Sequence, residues 1–251
     1  MLKLAPALAV RDSAKQRFAD IESWVFDLDN TLYPPHADLW PKIDQKITAF
    51  ISDFLGVDGL TARAIQKYYY RMHGTSLNGL MIEHAIDPHA FLDFVHDIDR
   101  SSLPPDARLA DAIRRLPGRK FVFTNGSRRH AELTMAQLGI GGLFDGIFDI
   151  VDSAFKPKPA QATFEKFIAE HRIAPVTAVM FEDLPKNLEM AAELGMRTVL
   201  VVPDDRGDHK EDWERFVAEG PGADGVRFDA VTPDLPAFLD ALSNGLALTR
   251  A

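Results

Sequence analysis

The sequence predicts an α/β protein. The expected fold is a doubly wound three-layer sandwich around a parallel five-stranded sheet of order 3-2-1-4-5, with an α-helical domain inserted after the first strand. Two observations carry this. Short apolar runs alternate with helical patterns, which implies a parallel sheet covered on both faces. One connection breaks the rhythm: about 70 residues of successive helical stripes, far longer than an ordinary crossover. The predicted core is residues 1–34 plus 105–251, and the predicted insert is residues 35–104.

The strands are read at Ser23–Phe26, Lys120–Phe123, Ile147–Ile150, Ala178–Phe181 and Thr198–Val202. They are too short for helices and rich in Val, Phe and Ile. Leu133, Met135 and Leu138 mark a helix ending at Gly139; Phe164, Phe167 and Ile168 mark another; Leu188, Ala191 and Leu194 mark a third ending at Gly195. In the insert, Ile43, Ile47, Phe50, Ile51 and Phe54 form one stripe of helical period. Ile65, Tyr68, Tyr69 and Met72 form a second, and Phe91, Leu92, Val95 and Ile98 a third. After a polar segment from Asp204, apolar character recovers around Val226–Phe228, and a last helix is expected near Asp234–Leu242.

Composition excludes several classes. The 251 residues contain no cysteine, so disulfides, thiolate metal sites and a cysteine nucleophile are ruled out. With 28 basic and 37 acidic residues, the net charge is −9, which argues against a nucleic-acid polymer as partner. No apolar run approaches the ~20 residues of a membrane helix, and the apolar start, residues 4–10, reads as a frayed tail. A cytoplasmic location is expected. Oligomeric state is not legible.

Chemistry-bearing residues gather at predicted strand ends. The first strand runs into Asp27-Leu28-Asp29-Asn30-Thr31-Leu32, and strand period puts both aspartates on one side if the chain stays extended. Such a pair alone reads equally as an acidic turn. The fourth strand, however, ends in Glu182-Asp183, and strands 1 and 4 are neighbours at the switch point of the predicted sheet. Carboxylates converging there call for a hard cation. Thr124-Asn125-Gly126-Ser127 offers a hydroxyl, an amide and free N–H groups to an anion, or a simple helix cap. Lys156-Pro157-Lys158-Pro159 offers a lysine to a phosphate or to the carboxylates, or a solvated basic turn. There is no His-Glu-x-x-His, Gly-x-Ser-x-Gly or Walker sequence. His89 and His96 read as solvated.

Together these segments resemble the haloacid dehalogenase-like phosphohydrolase superfamily. Asp27–Leu32 is similar to its first motif, Thr124-Asn125 to its second, Lys158 to its third and Glu182-Asp183 to its fourth. The family's lysine stands six positions before an aromatic residue, which points to Lys158 before Phe164 and leaves Lys156 as the alternative. The stretch from Trp24 to Pro34 resembles the pyrimidine 5′-nucleotidase branch. So do Tyr69-Tyr70, His73-Gly74-Thr75 and Gly79-Leu80.

The resemblance implies Mg²⁺-dependent hydrolysis of a phosphate monoester through an aspartyl-phosphate. Asp27 is implied as nucleophile and Asp29 as acid and base, with the metal held by the Asp27 carboxylate, the Asp29 main-chain carbonyl and Asp183. Glu182 is implied to act behind the metal ligands. Leu28, Thr124, Asn125, Gly126 and Lys158 are implied to bind phosphate. The insert becomes a cap, with Tyr69, Met72, His73, Asn78 and His84 as candidates to read the leaving group. The implied substrate is a nucleoside monophosphate, UMP or CMP. Phosphatase or phosphomutase action on another small ester, and a non-catalytic acidic pocket, are the alternatives.

Overall fold

The computed structural model describes residues 17–202 and 228–249. The expected N-terminal tail, the polar segment 204–225 and Val226 lie outside the described residues. The sheet is parallel throughout. Its order is β3-β2-β1-β4-β5-β6, with β1 Ser23–Phe26, β2 Arg119–Phe123, β3 Gly146–Phe148, β4 Ala178–Glu182, β5 Arg197–Val201 and β6 Ala230–Thr232. β1 is central, pairing Phe26 with Val122 on one side and with Phe181 on the other.

Strand period divides the side chains between two cores. Trp24, Phe26, Val122, Val179, Phe181 and Val199 point to one face. There they meet α5 (Ala107–Arg115), α6 (Arg128–Leu138) and α9 (Leu235–Thr249). Val25, Phe121, Phe123, Met180 and Leu200 point to the other, against α7 (Gln161–Glu170) and α8 (Pro185–Glu193). A strand buried on both faces has no polar side to alternate with, which is why β1 and β4 are buried at every position. The second core is rich in aromatics: Phe123 stacks on Phe167 at a 4.5 Å centroid separation.

Between β1 and β2 the chain builds α1 (Trp40–Leu55), α2 (Gly59–His73), α3 (Ser76–His84) and α4 (Pro88–Val95). Asp58, Thr75 and Asp87 cap α2, α3 and α4 by accepting main-chain N–H groups in the first turn. These helices bury a third cluster that includes Ile51, Tyr69, Leu80, Phe91 and Val95, closed from below by Ile150. Ala37, Leu39 and Leu103 belong instead to the first core, so the chain stays anchored there on both sides of the insert. No helix among the described residues is long and apolar enough to cross a membrane.

Three boundaries differ from expectation. A sixth strand, β6, extends the sheet beyond β5; of its three residues only Thr232 is buried, and they carry no apolar run. Asp229 sets it in place, its carboxylate accepting the Thr198 N–H at 2.9 Å. β3 ends at Phe148 rather than Ile150, because Asp149 accepts the N–H groups of Val151 and Asp152 and turns the chain. The last helix runs on to Thr249.

Gly118 enters β2 at φ +78°, and a Cβ there would lie 2.4 Å from the Glu22 carbonyl oxygen. Gly118→Ala is therefore expected to destabilise the protein by roughly 1–3 kcal/mol. A urea titration checks this: the midpoint falls with the slope unchanged.

Candidate active site

Three neighbouring strand ends make the site. Asp27 follows β1 directly, and its N–H continues the ladder to the Phe181 carbonyl at 2.9 Å. The chain then turns, with the Leu32 N–H returning to the Leu28 carbonyl at 3.0 Å. The expected extended Asp-x-Asp is thus replaced by a turn, yet both aspartates still line one cavity. Asn30 takes the left-handed backbone (φ 61°) that the turn needs, a conformation asparagine tolerates. After β2, Thr124 Oγ1 accepts the Gly126 N–H at 2.9 Å, and Ser127 caps α6. β4 itself ends in Glu182, and Asp183 comes directly after it, followed by α8.

Lys158 joins the three ends. It is 1% exposed, and its ammonium bonds Asp27 Oδ1 at 2.7 Å, Glu182 Oε2 at 2.7 Å and the Phe123 carbonyl at 2.8 Å. These partners use all three of its protons. Lys156 is exposed. The Asn125 side chain clamps the Lys158 main chain, its Oδ1 accepting the N–H at 2.8 Å and its Nδ2 donating to the carbonyl at 3.4 Å. The clamp uses its Oδ1 and one Nδ2 proton, and Asn125 still lines the cavity. Leu28 is fully buried in the first core, so only its main chain is available to a ligand.

The charges do not balance within this cluster. Asp27, Glu182 and Asp183 bring carboxylate oxygens within 4.8 Å of one another, against one ammonium. Burial, and then Glu182, push the Asp27 carboxyl up to about 8 despite Lys158. Burial, Glu182 and Asp27 raise Asp183 well above the usual carboxylate range. For Lys158 burial works the other way, but Asp27 and Glu182 outweigh it and keep the ammonium charged. Three hard oxygen donors in one buried corner suit a divalent cation such as Mg²⁺. Asn187, on the first turn of α8, lines the same cavity; it is 1% exposed and its Oδ1 lacks a partner among the described residues. Its place four residues after Asp183 was the sequence signal for it.

Asp29 has a different environment. Tyr33 donates its hydroxyl to Oδ1, and His130 Nε2 lies 2.8 Å from the same oxygen. Burial alone would raise this carboxyl; His130 and then Tyr33 outweigh it and hold Asp29 at about 2. His130 is fully buried and was not singled out in the sequence. Its signal was a histidine in the first turn after Thr124-Asn125-Gly126-Ser127. His96, expected to be solvated, stacks on His130 at 4.5 Å and bonds Ser127 Oγ at 2.9 Å. His89 is exposed, as expected.

A cavity of ≈ 170 Å³ lies between these strand ends and the inserted helices. The helices contribute apolar walls, among them Trp40, Ile43, Leu77 and Phe91, and a polar group of Asp44, Gln66 and Lys67. Lys186 of α8 reaches across to α2, donating to the Tyr70 hydroxyl at 3.2 Å. None of the five cap residues expected to read a leaving group lines this cavity. Tyr69 turns into the helical cluster, its hydroxyl 2.7 Å from His84 Nε2. His73 faces Glu83 at 3.5 Å, Asn78 donates to the His73 carbonyl, and Met72 is 62% exposed. Helical period shows which residues share a face, and it was Tyr70, one position on, that turned to the cavity.

Comparison with known proteins agrees with this architecture. Over 217 residues the chain is 28% identical to phosphate metabolism protein 8 of Saccharomyces cerevisiae; the match covers 80% of this chain and 65% of that one. The chain thus spans just under two thirds of that relative's length. Among solved structures, an HAD phosphatase from Thermococcus onnurineus superposes with a TM-score of 0.57 at 17% identity, covering 88% of this chain and 98% of that one. The L-2-haloacid dehalogenase of Xanthobacter autotrophicus, with chloropropionic acid covalently bound, gives 0.53 at 14% identity, covering 88% and 97%. Residues 22–195, which hold every strand end described above, match the haloacid dehalogenase-like hydrolase family, and the chain belongs to that family.

Proposed function

We propose that the protein is a Mg²⁺-dependent phosphomonoesterase acting through an aspartyl-phosphate, with pyrimidine nucleoside 5′-monophosphates as its substrates. The observation that carries this reading is the pairing of two carboxylates with opposite environments. Asp27 sits in the acidic corner with Lys158, and Asp29 is held apart by His130 and Tyr33. The second aspartate itself favours phosphoryl transfer over dehalogenation, because an alkoxide must be protonated as it leaves whereas a halide need not be.

In this mechanism the Asp27 carboxylate attacks phosphorus, forming the acyl phosphate and releasing the alcohol. Asp29 gives its proton to the departing oxygen, then removes one from the water that hydrolyses the acyl phosphate. The Thr124 hydroxyl, which accepts the Gly126 N–H, keeps its own proton for the transferring oxygens, and Lys158 holds Asp27 in line from the other side. The Asp27 and Asp183 carboxylates and the Asp29 main-chain carbonyl would hold Mg²⁺, which would supply the charge that lets an anionic nucleophile meet an anionic ester. Glu182, bonded to Lys158, steadies the corner from behind. The inserted helices act as a cap that shields the reaction from water. Flat walls such as Trp40 and Phe91, beside the amide of Gln66, suit a planar base with polar edges.

Three outcomes test this. Asp27→Asn is expected to abolish phosphate release from every ester while leaving the circular dichroism spectrum and melting temperature near those of the parent; measurable turnover by purified mutant would refute the nucleophile. Mg²⁺ should raise the melting temperature, by an increment worth ~2.7 kcal/mol at a hundredfold excess over its Kd. EDTA should reverse that shift and Asp183→Asn remove it. In a phosphate-release screen, UMP and CMP should exceed AMP, GMP and sugar phosphates. Equal rates on sugar phosphates would reject the pyrimidine assignment but keep the phosphatase.

A further inference from the structure

Asp29 is held by side chains that the reaction above does not use. His130 presents Nε2 to Asp29 Oδ1, and Arg100 places Nη2 2.9 Å from His130 Nδ1. Arg100 lies in the segment returning from α4 to α5. It is fixed there by bonds to Thr134 Oγ1 at 3.3 Å and to the carbonyls of Ile98 and His96, both at 3.1 Å. The stacked ring of His96 covers one face of His130.

A guanidinium can only donate. His130 Nδ1 must therefore offer a lone pair to Arg100, and the ring proton sits on Nε2, aimed at Asp29. Tyr33 donates to the same Asp29 oxygen. Two donors on Oδ1 leave Oδ2 as the atom that can gain or lose a proton. Oδ2 also faces the phosphate-side turn: a Cβ built on Gly126 would lie 3.7 Å from it and 3.3 Å from Thr124 Oγ1. A protonated Asp29 keeps both bonds on Oδ1, so the arrangement serves the acid and the base forms alike.

We infer that His130, with its tautomer set by Arg100, is a positioning residue that pins Asp29 through Oδ1 and reserves Oδ2 for proton transfer. This rests on the reading of Asp29 as the acid and base. A histidine that only filled the core would need neither a fixed tautomer nor an arginine behind it.

The test uses full-length protein with Mg²⁺ and follows the first turnover of two esters. UMP needs a proton on its leaving oxygen; p-nitrophenyl phosphate does not. His130→Leu is expected to slow the first turnover of UMP roughly 10²-fold, the size of a general acid's contribution, and to leave the p-nitrophenolate burst nearly unchanged. His130→Gln restores a donor near the Nε2 position and should recover most of the loss. Nitrogen-15 spectra of the imidazole should show the proton on Nε2 in the parent and a tautomer mixture in Arg100→Met. Equal slowing of both esters by His130→Leu, no recovery with His130→Gln, or a proton on Nδ1 would each overturn the inference. Asp29→Asn separates the two levels. It must show the same preference for p-nitrophenyl phosphate; equal loss on both esters would remove the acid role of Asp29 and the inference with it.

Discussion

The site depends on a lysine with no access to water. Burying an ammonium costs several kcal/mol unless each proton meets an acceptor, and Lys158 meets this condition with partners on three adjacent strand ends: Asp27 after β1, the Phe123 carbonyl of β2 and Glu182 of β4. The parallel sheet supplies those acceptors in one place because its strands end at one edge. The bonds in turn fix where the Asp27 carboxylate points. Asn125 completes the arrangement by gripping the lysine's own main chain.

The lysine does not neutralise the corner it organises. Asp183 adds a third carboxylate, and burial with mutual repulsion pushes Asp27 and Asp183 up. The corner thus gathers more carboxylates than its one ammonium offsets, an imbalance that a divalent cation would relieve. Two residues along the chain, Asp29 meets the opposite environment of Tyr33 and His130. The turn after β1 separates the two carboxylates, and the side chains packed around each decide what it meets.

The acidic surface charge of the whole chain has little part in this. What would draw the proposed anionic ester inward is local: the Thr124 hydroxyl, and the cation proposed for the carboxylate corner. The inserted helices close the cavity from above, and Lys186 ties one of them to α8 through Tyr70.

The strands and their parallel order were legible because local pattern records burial. Runs buried on both faces carry continuous apolar residues, and strand ends carry the polar residues that an edge cleft can use. The six residues Asp27, Asp29, Thr124, Lys158, Glu182 and Asp183 could be picked out on that basis, and the structure brings all six around one cavity. β6 could not be picked out, since a short, partly exposed edge strand is defined by its neighbour. Nor could the wall of the cavity, where a helix turned Tyr70 inward and Tyr69 into the helical cluster. The bonds of Lys158, the engagement of Asn125 and the Arg100–His130–Asp29 chain belong to tertiary structure alone. Their bonds join residues as far as 131 and 101 positions apart, and periodicity carries no information about which distant side chain arrives. Sequence determined which chemistry stands at the strand ends; packing decided which atom of each group is left free to act.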